Sequence, residues 1–421
     1  MVKKQILKNG LTLITAPLKE TKVVTILVLF GIGSRFETRR IRGLSHFIEH
    51  MMFKGTKKRP TAQVLVREID ALGAVYNAFT GKDMTGYYIK VDQSHLATAV
   101  EILSDMLQNS LMEDHEMQRE KNVIIEEINM REDTPMIHVE DVFEEVLFGD
   151  QPIGWDTAGT RDSIKKMRRQ DFVSYVKRYY TTGNAVAVIA GGIEHGEAEQ
   201  LISKNFKSLP GSSRALPKKT NLNPTKRKAR LIYRQSEQSH LVIGFPSYAY
   251  CHPRLAALKV LHTALGGNMS SRLFHIIRDK HGLAYYVRSS VNSYSDTGTL
   301  VVQAGLDNRR LEKAIKLIVR ELGKFTTATI GASELKRAKD FLKGQIAIQL
   351  EDQENLADWL ARRHLFEGKI ISVDEYLAEI EKVTAAAVKK SAQEIFRASK
   401  MNLTMIGPFQ DKEKFVKLLK F

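Results

Sequence analysis

The chain has 421 residues, 43% hydrophobic and 27% charged, which predicts two domains with substantial cores and excludes long disordered stretches. Its single cysteine, Cys251, excludes an intrachain disulfide and a cysteine-based zinc site and suits a reducing compartment. The formal charge of +16, from 64 Lys and Arg against 48 Asp and Glu, accompanies no nucleic-acid motif and reads as solvated basic faces and a basic linker.

The N-terminus, Met1-Val2-Lys3-Lys4-Gln5-Ile6-Leu7, lacks the apolar core of a signal peptide, and the longest apolar run, residues 23–32, is too short to cross a bilayer. The expectation is a cytoplasmic protein without a membrane span. Residues 3–16 predict two strands around the turn pair Asn9-Gly10. Residues 23–30, β-branched and apolar almost throughout, predict a strand buried on both faces.

After Gly31-Ile32-Gly33-Ser34 and a polar loop, a helix is predicted from about Leu44, with the order Leu44-Ser45-His46-Phe47-Ile48-Glu49-His50. On a helix His46 and His50 project from one face with Glu49 beside them. Two imidazoles so placed can grip one metal ion, and a neighbouring carboxylate can take a proton from a water at its open position. His-x-x-Glu-His is the signature of the inverted zincins and calls for a third ligand downstream.

A helix follows over 61–72, then paired strands over 75–80 and 85–91 joined through Gly81-Lys82-Asp83, and helices over 96–107 and 115–130. The last contains Glu120, Glu126 and Glu127. There are 76 residues between His50 and Glu127, and Glu120 lies seven residues before Glu127, two turns back on the same face. Further on, residues 163–180 predict one basic helix with Ser163 as its N-cap, 185–191 a strand and 196–206 a helix. Residues 209–228, with Pro210, Gly211, Ser212, Ser213, Pro217 and Pro224 among basic residues, have linker chemistry.

The same order of elements then returns at a spacing of about 210 to 218 residues. Asn184 and the strand after it are echoed by Asn402 and its strand, Leu147-Phe148-Gly149 by Leu365-Phe366-Glu367-Gly368, and Gly73-Ala74-Val75-Tyr76 by Gly282-Leu283-Ala284-Tyr285. The expected fold is α+β, with two homologous domains, 1–208 and 229–421, each a mainly antiparallel sheet packed with helices. The second copy reads Leu261-His262-Thr263-Ala264-Leu265-Gly266 where the first has its metal motif, so it is expected to hold no metal.

On His46-Phe47-Ile48-Glu49-His50, the 76-residue gap and Val123-Ile124-Ile125-Glu126-Glu127-Ile128, the sequence resembles the pitrilysin-type zinc metallopeptidases, most closely the mitochondrial processing peptidases and their bacterial relatives. The resemblance covers essentially the whole chain. It implies His46, His50 and Glu127 as ligands of one zinc ion per chain, Glu49 as general base and Glu120 as a second carboxylate at the site. It implies substrate binding by the strand Asn77-Ala78-Phe79-Thr80 and, from the second domain, by Arg278 and Tyr285. It also implies a homodimeric endopeptidase acting on unfolded or presequence-like peptides. The alternative is a non-catalytic scaffolding subunit of a related complex.

Overall fold

The computed structural model describes residues 2–222 and 227–421; Pro224 and Lys226 of the expected linker lie outside them. The elements, in chain order, are β1 (Lys3–Ile6), β2 (Thr12–Pro17), β3 (Val23–Phe30), α1 (Leu44–Met51), α2 (Ala62–Ala71), β4 (Val75–Thr80), β5 (Thr85–Asp92), α3 (Leu96–Asn109), α4 (Asp114–Asp133), α5 (Pro135–Phe148), α6 (Arg161–Lys166), α7 (Arg169–Tyr179), β6 (Ala185–Gly191) and α8 (His195–Asn205). They continue with β7 (Ala229–Tyr233), β8 (Gln238–Ser247), α9 (Leu255–Gly266), β9 (Ala284–Ser293), β10 (Gly298–Asp307), α10 (Leu311–Thr327), α11 (Ala332–Leu350), α12 (Gln353–Glu367), α13 (Val373–Glu381), α14 (Ala385–Ile395), β11 (Asn402–Gly407) and α15 (Lys412–Val416).

The first sheet runs β1-β2-β6-β3-β5-β4 and the second β7-β11-β8-β10-β9. Leaving out β1, the two orders correspond strand for strand, and in both, among the described residues, the one parallel pair joins the first strand to the last, β2 with β6 and β7 with β11. The fold is α+β, built twice. The asparagines that echo each other do the same work: Asn184 accepts a hydrogen bond from the Ala215 amide at 2.7 Å and Asn402 from the Lys228 amide at 2.9 Å.

Against the end-to-end division expected from composition, the two compact units are interleaved. Unit 1 takes the chain up to Asn129, Trp155–Lys218 and Ile348–Ser372; unit 2 takes Met130–Gly154, Lys219–Ala347 and Val373–Phe421. Each unit thus includes one helix that the repeat assigns to the other half, α12 in unit 1 and α5 in unit 2.

Burial explains the exchange. In unit 1 the strands are apolar on both faces. One face, with Val24, Ile26, Val28 and Ile189, packs under α1, α2, α3, α7 and α8. The other, with Leu27, Leu29, Val186 and Val188, is covered by Leu356, Ala357, Leu360 and Leu365 of α12. In unit 2 the corresponding cover is α5, whose Val139, Phe143 and Leu147 lie on Val242, Val301 and Ile406. The helix ends that echo in sequence are those of α5 and α12, and each closes on a glycine with positive φ, Gly149 at 71° and Gly368 at 68°.

One predicted helix is two. Thr160, not Ser163, is the N-cap of α6, and Ser163 completes a capping box by returning its hydroxyl to the Thr160 amide. The backbone then turns extended at Met167, which is buried, and α7 begins anew at Arg169. The expected linker is tied down where it is described: the Pro210 carbonyl accepts from Thr182, and the Lys218 carbonyl from Arg35.

Candidate metal centre

Helix α1 buries Leu44, Ser45, Phe47, Ile48 and Met51, the 3- and 4-residue spacing of one face. His46, Glu49 and His50 are thereby left on the opposite face, each half-buried. The helix is fixed at its start. Gly43 has φ 90°, and a Cβ there would lie 2.4 Å from the Ala158 carbonyl oxygen, so only glycine fits.

The helix N-terminus meets a buried carboxylate. Glu37, 4% exposed, accepts from the Gly43 and Ser45 amides, both at 2.7 Å, so its two oxygens satisfy amides the helix itself leaves unpaired. Burial pushes its pKa up to about 8 against these hydrogen bonds. Ser45 also hydrogen-bonds the Tyr175 hydroxyl, which donates to the Gly33 carbonyl.

Helix α4 brings the carboxylates. His46 Nε2 and His50 Nε2 are 3.2 Å apart, and Glu127 Oε2 is 3.6 Å from each. Glu120, 4% exposed, accepts from His50 Nδ1 at 2.9 Å and pairs with Lys54. Burial raises the Glu120 pKa, but the hydrogen bonds from His50 and Lys54 outweigh it and hold it below the carboxylate range. Burial likewise disfavours protonated His50, and the carboxylates of Glu120, Glu127 and Glu49 more than offset this.

The donor set fits zinc. Metal–nitrogen and metal–oxygen bonds of about 2.0–2.2 Å in a tetrahedron place ligand atoms roughly 3.3–3.6 Å apart, close to the 3.2, 3.6 and 3.6 Å between these three atoms. With its Nδ1–H given to Glu120, His50 would present the lone pair of Nε2 to a metal ion. His46, His50 and Glu127 form the only such cluster identified among the described residues.

Glu49 stands beside these residues, within the electrostatic reach of His50 and Glu127. Its carboxylate accepts from the Thr80 hydroxyl at the end of β4, and burial raises its pKa against that hydrogen bond. β4 is an edge strand, paired only with β5. Along it Tyr76 and Ala78 belong to the face packed against α1, whereas the Phe79 ring lies over Gly86 on the α12 side. A Cβ at Gly86 would sit 2.3 Å from that ring. Asn77 is exposed, and its side chain accepts from the Ala78 amide.

Arg278 and Tyr285 belong to unit 2, at two irregularities. Arg278 is on the π-helical segment Phe274–Lys280, its guanidinium 4.9 Å from the Phe274 ring. Tyr285 is the residue skipped where the register of the edge strand β9 shifts, Ala284 facing Leu306 and Tyr286 facing Gly305. It is 75% exposed, so it is no core aromatic. Both kinds of irregularity are enriched near functional sites. The sequence reading missed Glu37 and Lys54; Glu37, six residues before the glycine that opens α1, follows no periodic signal.

The family model described as insulinase (peptidase family M16) matches residues 13–161, and that described as the peptidase M16 inactive domain matches residues 166–342. An uncharacterized zinc protease of Streptomyces coelicolor is 33% identical over 98% of this chain and 91% of its own. The uncharacterized zinc protease YmxG of Bacillus subtilis is 33% identical over 97% and 98%. Among solved structures, a protease from Helicobacter pylori superposes with a TM-score of 0.90 at 24% identity, covering 97% of this chain and 99% of that one. A chain of Complex III2 from Candida albicans does so with 0.88 at 17%, covering all of both. No helix among the described residues is long and apolar enough to cross a membrane. With the two family models spanning most of the sequence and relatives matching it nearly end to end, the chain belongs to peptidase family M16, the pitrilysin-type zinc metallopeptidases.

Proposed function

We propose that the protein is a zinc-dependent endopeptidase that hydrolyses unfolded peptides, with His46, His50 and Glu127 holding one zinc ion per chain. The observation that carries this is the convergence of three ligand atoms within 3.2–3.6 Å of one another beside a carboxylate that is not itself a ligand. Zinc held by these three residues would supply Lewis-acid chemistry, lowering the pKa of a water toward neutral and polarising a peptide carbonyl.

The chain's own residues supply the rest. Glu49, its pKa raised by burial, takes the proton of the attacking water and returns it to the departing amine. Glu120 orients His50, and Lys54 holds Glu120. The unpaired edge of β4 offers backbone groups to an extended peptide, so that binding tolerates many sequences. Ala78 and Thr80 would border that peptide toward α1, whereas Phe79 is engaged on the other face and contributes through its backbone. The family resemblance assigns Arg278 and Tyr285 to substrate contact, and their exposure on unit 2 supports that reading. It also suggests a homodimer of the processing-peptidase kind.

The test is zinc analysis alongside Glu49→Gln. The wild-type chain should hold one zinc per chain and cleave an unfolded polypeptide; the variant should keep the zinc and lose cleavage. Cleavage by Glu49→Gln at the wild-type rate would refute the assignment. A zinc-loaded wild-type chain inactive on an unbiased peptide mixture would favour the second reading, a non-catalytic subunit, which the likeness to a Complex III2 chain supports. Sedimentation giving only the monomer mass would remove the dimer.

A further inference from the structure

Helix α10 buries an apolar face that includes Ala314, Ile318, Leu322 and Phe325. Between Leu311 and Phe325 every exposed position is basic: Lys313, Lys316, Arg320 and Lys324. At 3- and 4-residue spacing they form one line about 16 Å long. Opposite charges at this spacing stabilise a helix and like charges oppose it, so this line forgoes a stabilisation that mixed signs would give. Here the helix's acids are drawn off the line. Glu312 pairs with Lys414 at 2.7 Å, and Glu321, 1% exposed, is turned inward beside Lys324 and Arg320. Lys313 and Lys316 make no ion pair among the described residues.

The line borders a groove against the end of the chain. On one side of Lys316 is a recess of about 610 Å³ reaching Arg309 and Lys414, with Leu317 and Phe409 in its wall. On the other is a recess of about 390 Å³ reaching Arg320 and Lys420, with Val319 and Leu418 in its wall. Partial desolvation and the charges of Lys313, Lys280 and Arg320 hold His281 below its ordinary pKa range, so the positive field extends to the loop after the π-helical segment.

We propose that the groove between α10 and residues 409–421 is a docking site for an acidic, extended peptide segment of another protein, carboxylates on Lys313, Lys316, Arg320 and Lys420, apolar side chains in the two recesses. An extended segment presents every second side chain about 6.8 Å apart. The lysines and arginine on α10 rise by about 4.5–6 Å from one to the next. Nucleic acid would want a series of aromatic faces for stacking, but Phe409 and Phe415 pack edge to face at 5.4 Å, Phe415 is buried, and Phe421, 49% exposed in the smaller recess, offers a single ring. A bilayer would want apolar groups at the rim, and here the rim is charged. The proposal does not depend on the metal centre.

The test is fluorescence anisotropy at low ionic strength with the full chain carrying Glu49→Gln, so that no probe is consumed. The probe is a fluorescein-labelled dodecapeptide alternating glutamate with leucine and alanine. The comparators are its lysine counterpart, a dodecamer of oligouridylate, and phosphatidylglycerol vesicles. Lys313→Glu, Lys316→Glu and Arg320→Glu together should weaken the acidic peptide about ten-fold or more. Lys165→Glu, Lys166→Glu and Lys177→Glu, the same change of charge on unit 1, should leave it within about two-fold. Circular dichroism checks both folds, and Lys316→Glu alone replaces the triple variant if that one misfolds. Absence of saturable binding, equal loss in both triple variants, no loss in the first, or tighter binding of oligouridylate or vesicles would each overturn the proposal.

Discussion

The Thr80 hydroxyl donates to the Glu49 carboxylate, joining the last residue of an edge strand to the carboxylate beside the candidate metal centre. A peptide added along β4 would end next to the group that handles its proton. Thr80→Val should lower kcat by about ten-fold or more, the worth of one hydrogen bond to a charged group. Zinc content should be unchanged, and Thr80→Ser should restore most of the rate. Steady-state kinetics with metal analysis checks this; a Val variant that alters KM alone would show that the hydroxyl serves binding only.

Glu120 fixes the His50 ring through Nδ1 without approaching as a ligand. Glu120→Gln should weaken zinc binding about 10- to 100-fold, read by competition with a chromogenic chelator. Removing zinc from the wild-type chain should lower its melting temperature, because an ion that binds only the folded state adds about 2.7 kcal/mol at a hundred times its Kd. Glu127→Ala should largely abolish that zinc-dependent shift.

Glu37 makes stability fall with rising pH. Its folded pKa of about 8 lies above the ordinary 4.5. Below 4.5 both states hold the proton; between 4.5 and 8 the folded state keeps it while the unfolded state releases it. In that window the folded state binds more protons, so this group's contribution declines as pH rises, with a slope approaching about 1.4 kcal/mol per pH unit. Urea melts from pH 4.5 to 8 should show that decline, and Glu37→Gln should remove this component while lowering stability throughout, since an amide replaces one of two acceptors. Parallel pH curves for the two proteins would contradict this.

Helix α12 should be required by unit 1. A fragment ending at residue 218 lacks it and leaves Leu27, Leu29, Val186 and Val188 uncovered, so it should bind a hydrophobic dye and aggregate. The same fragment joined through a flexible linker to residues 348–372 should be monomeric and give a cooperative melt. In the full chain Leu360→Ala should cost about 2–5 kcal/mol.

Local signals were readable and remote ones were not. The β3 strand, the α1 helix and the β4–β5 pair followed from burial periodicity and turn residues, and His46, His50 and Glu127, singled out by helical spacing together with the family resemblance, lie close enough together to hold a metal ion. The repeat was visible too, down to Asn184 and Asn402. The exchange of α5 and α12 was not, because amphipathic spacing says that a helix covers something apolar without saying which sheet. The break at Met167 was hidden by residues that all tolerate helix, with no Gly or Pro to mark it. Tyr285 could have been a core aromatic by composition; a register shift, set by pairing with β10, turns it outward. Glu37 was missed because its partners are backbone amides, which leave no trace in side-chain pattern.

The exchanged helix also sets an order of events during synthesis. Every residue assigned to the zinc ion has been translated by Glu127, but the sheet beneath α1 cannot be sealed until α12, ending at Glu367, has left the ribosome. The candidate metal centre therefore gains its full support only when most of the polypeptide exists, and a truncated nascent chain carries His46, His50 and Glu127 over a sheet with one face uncovered.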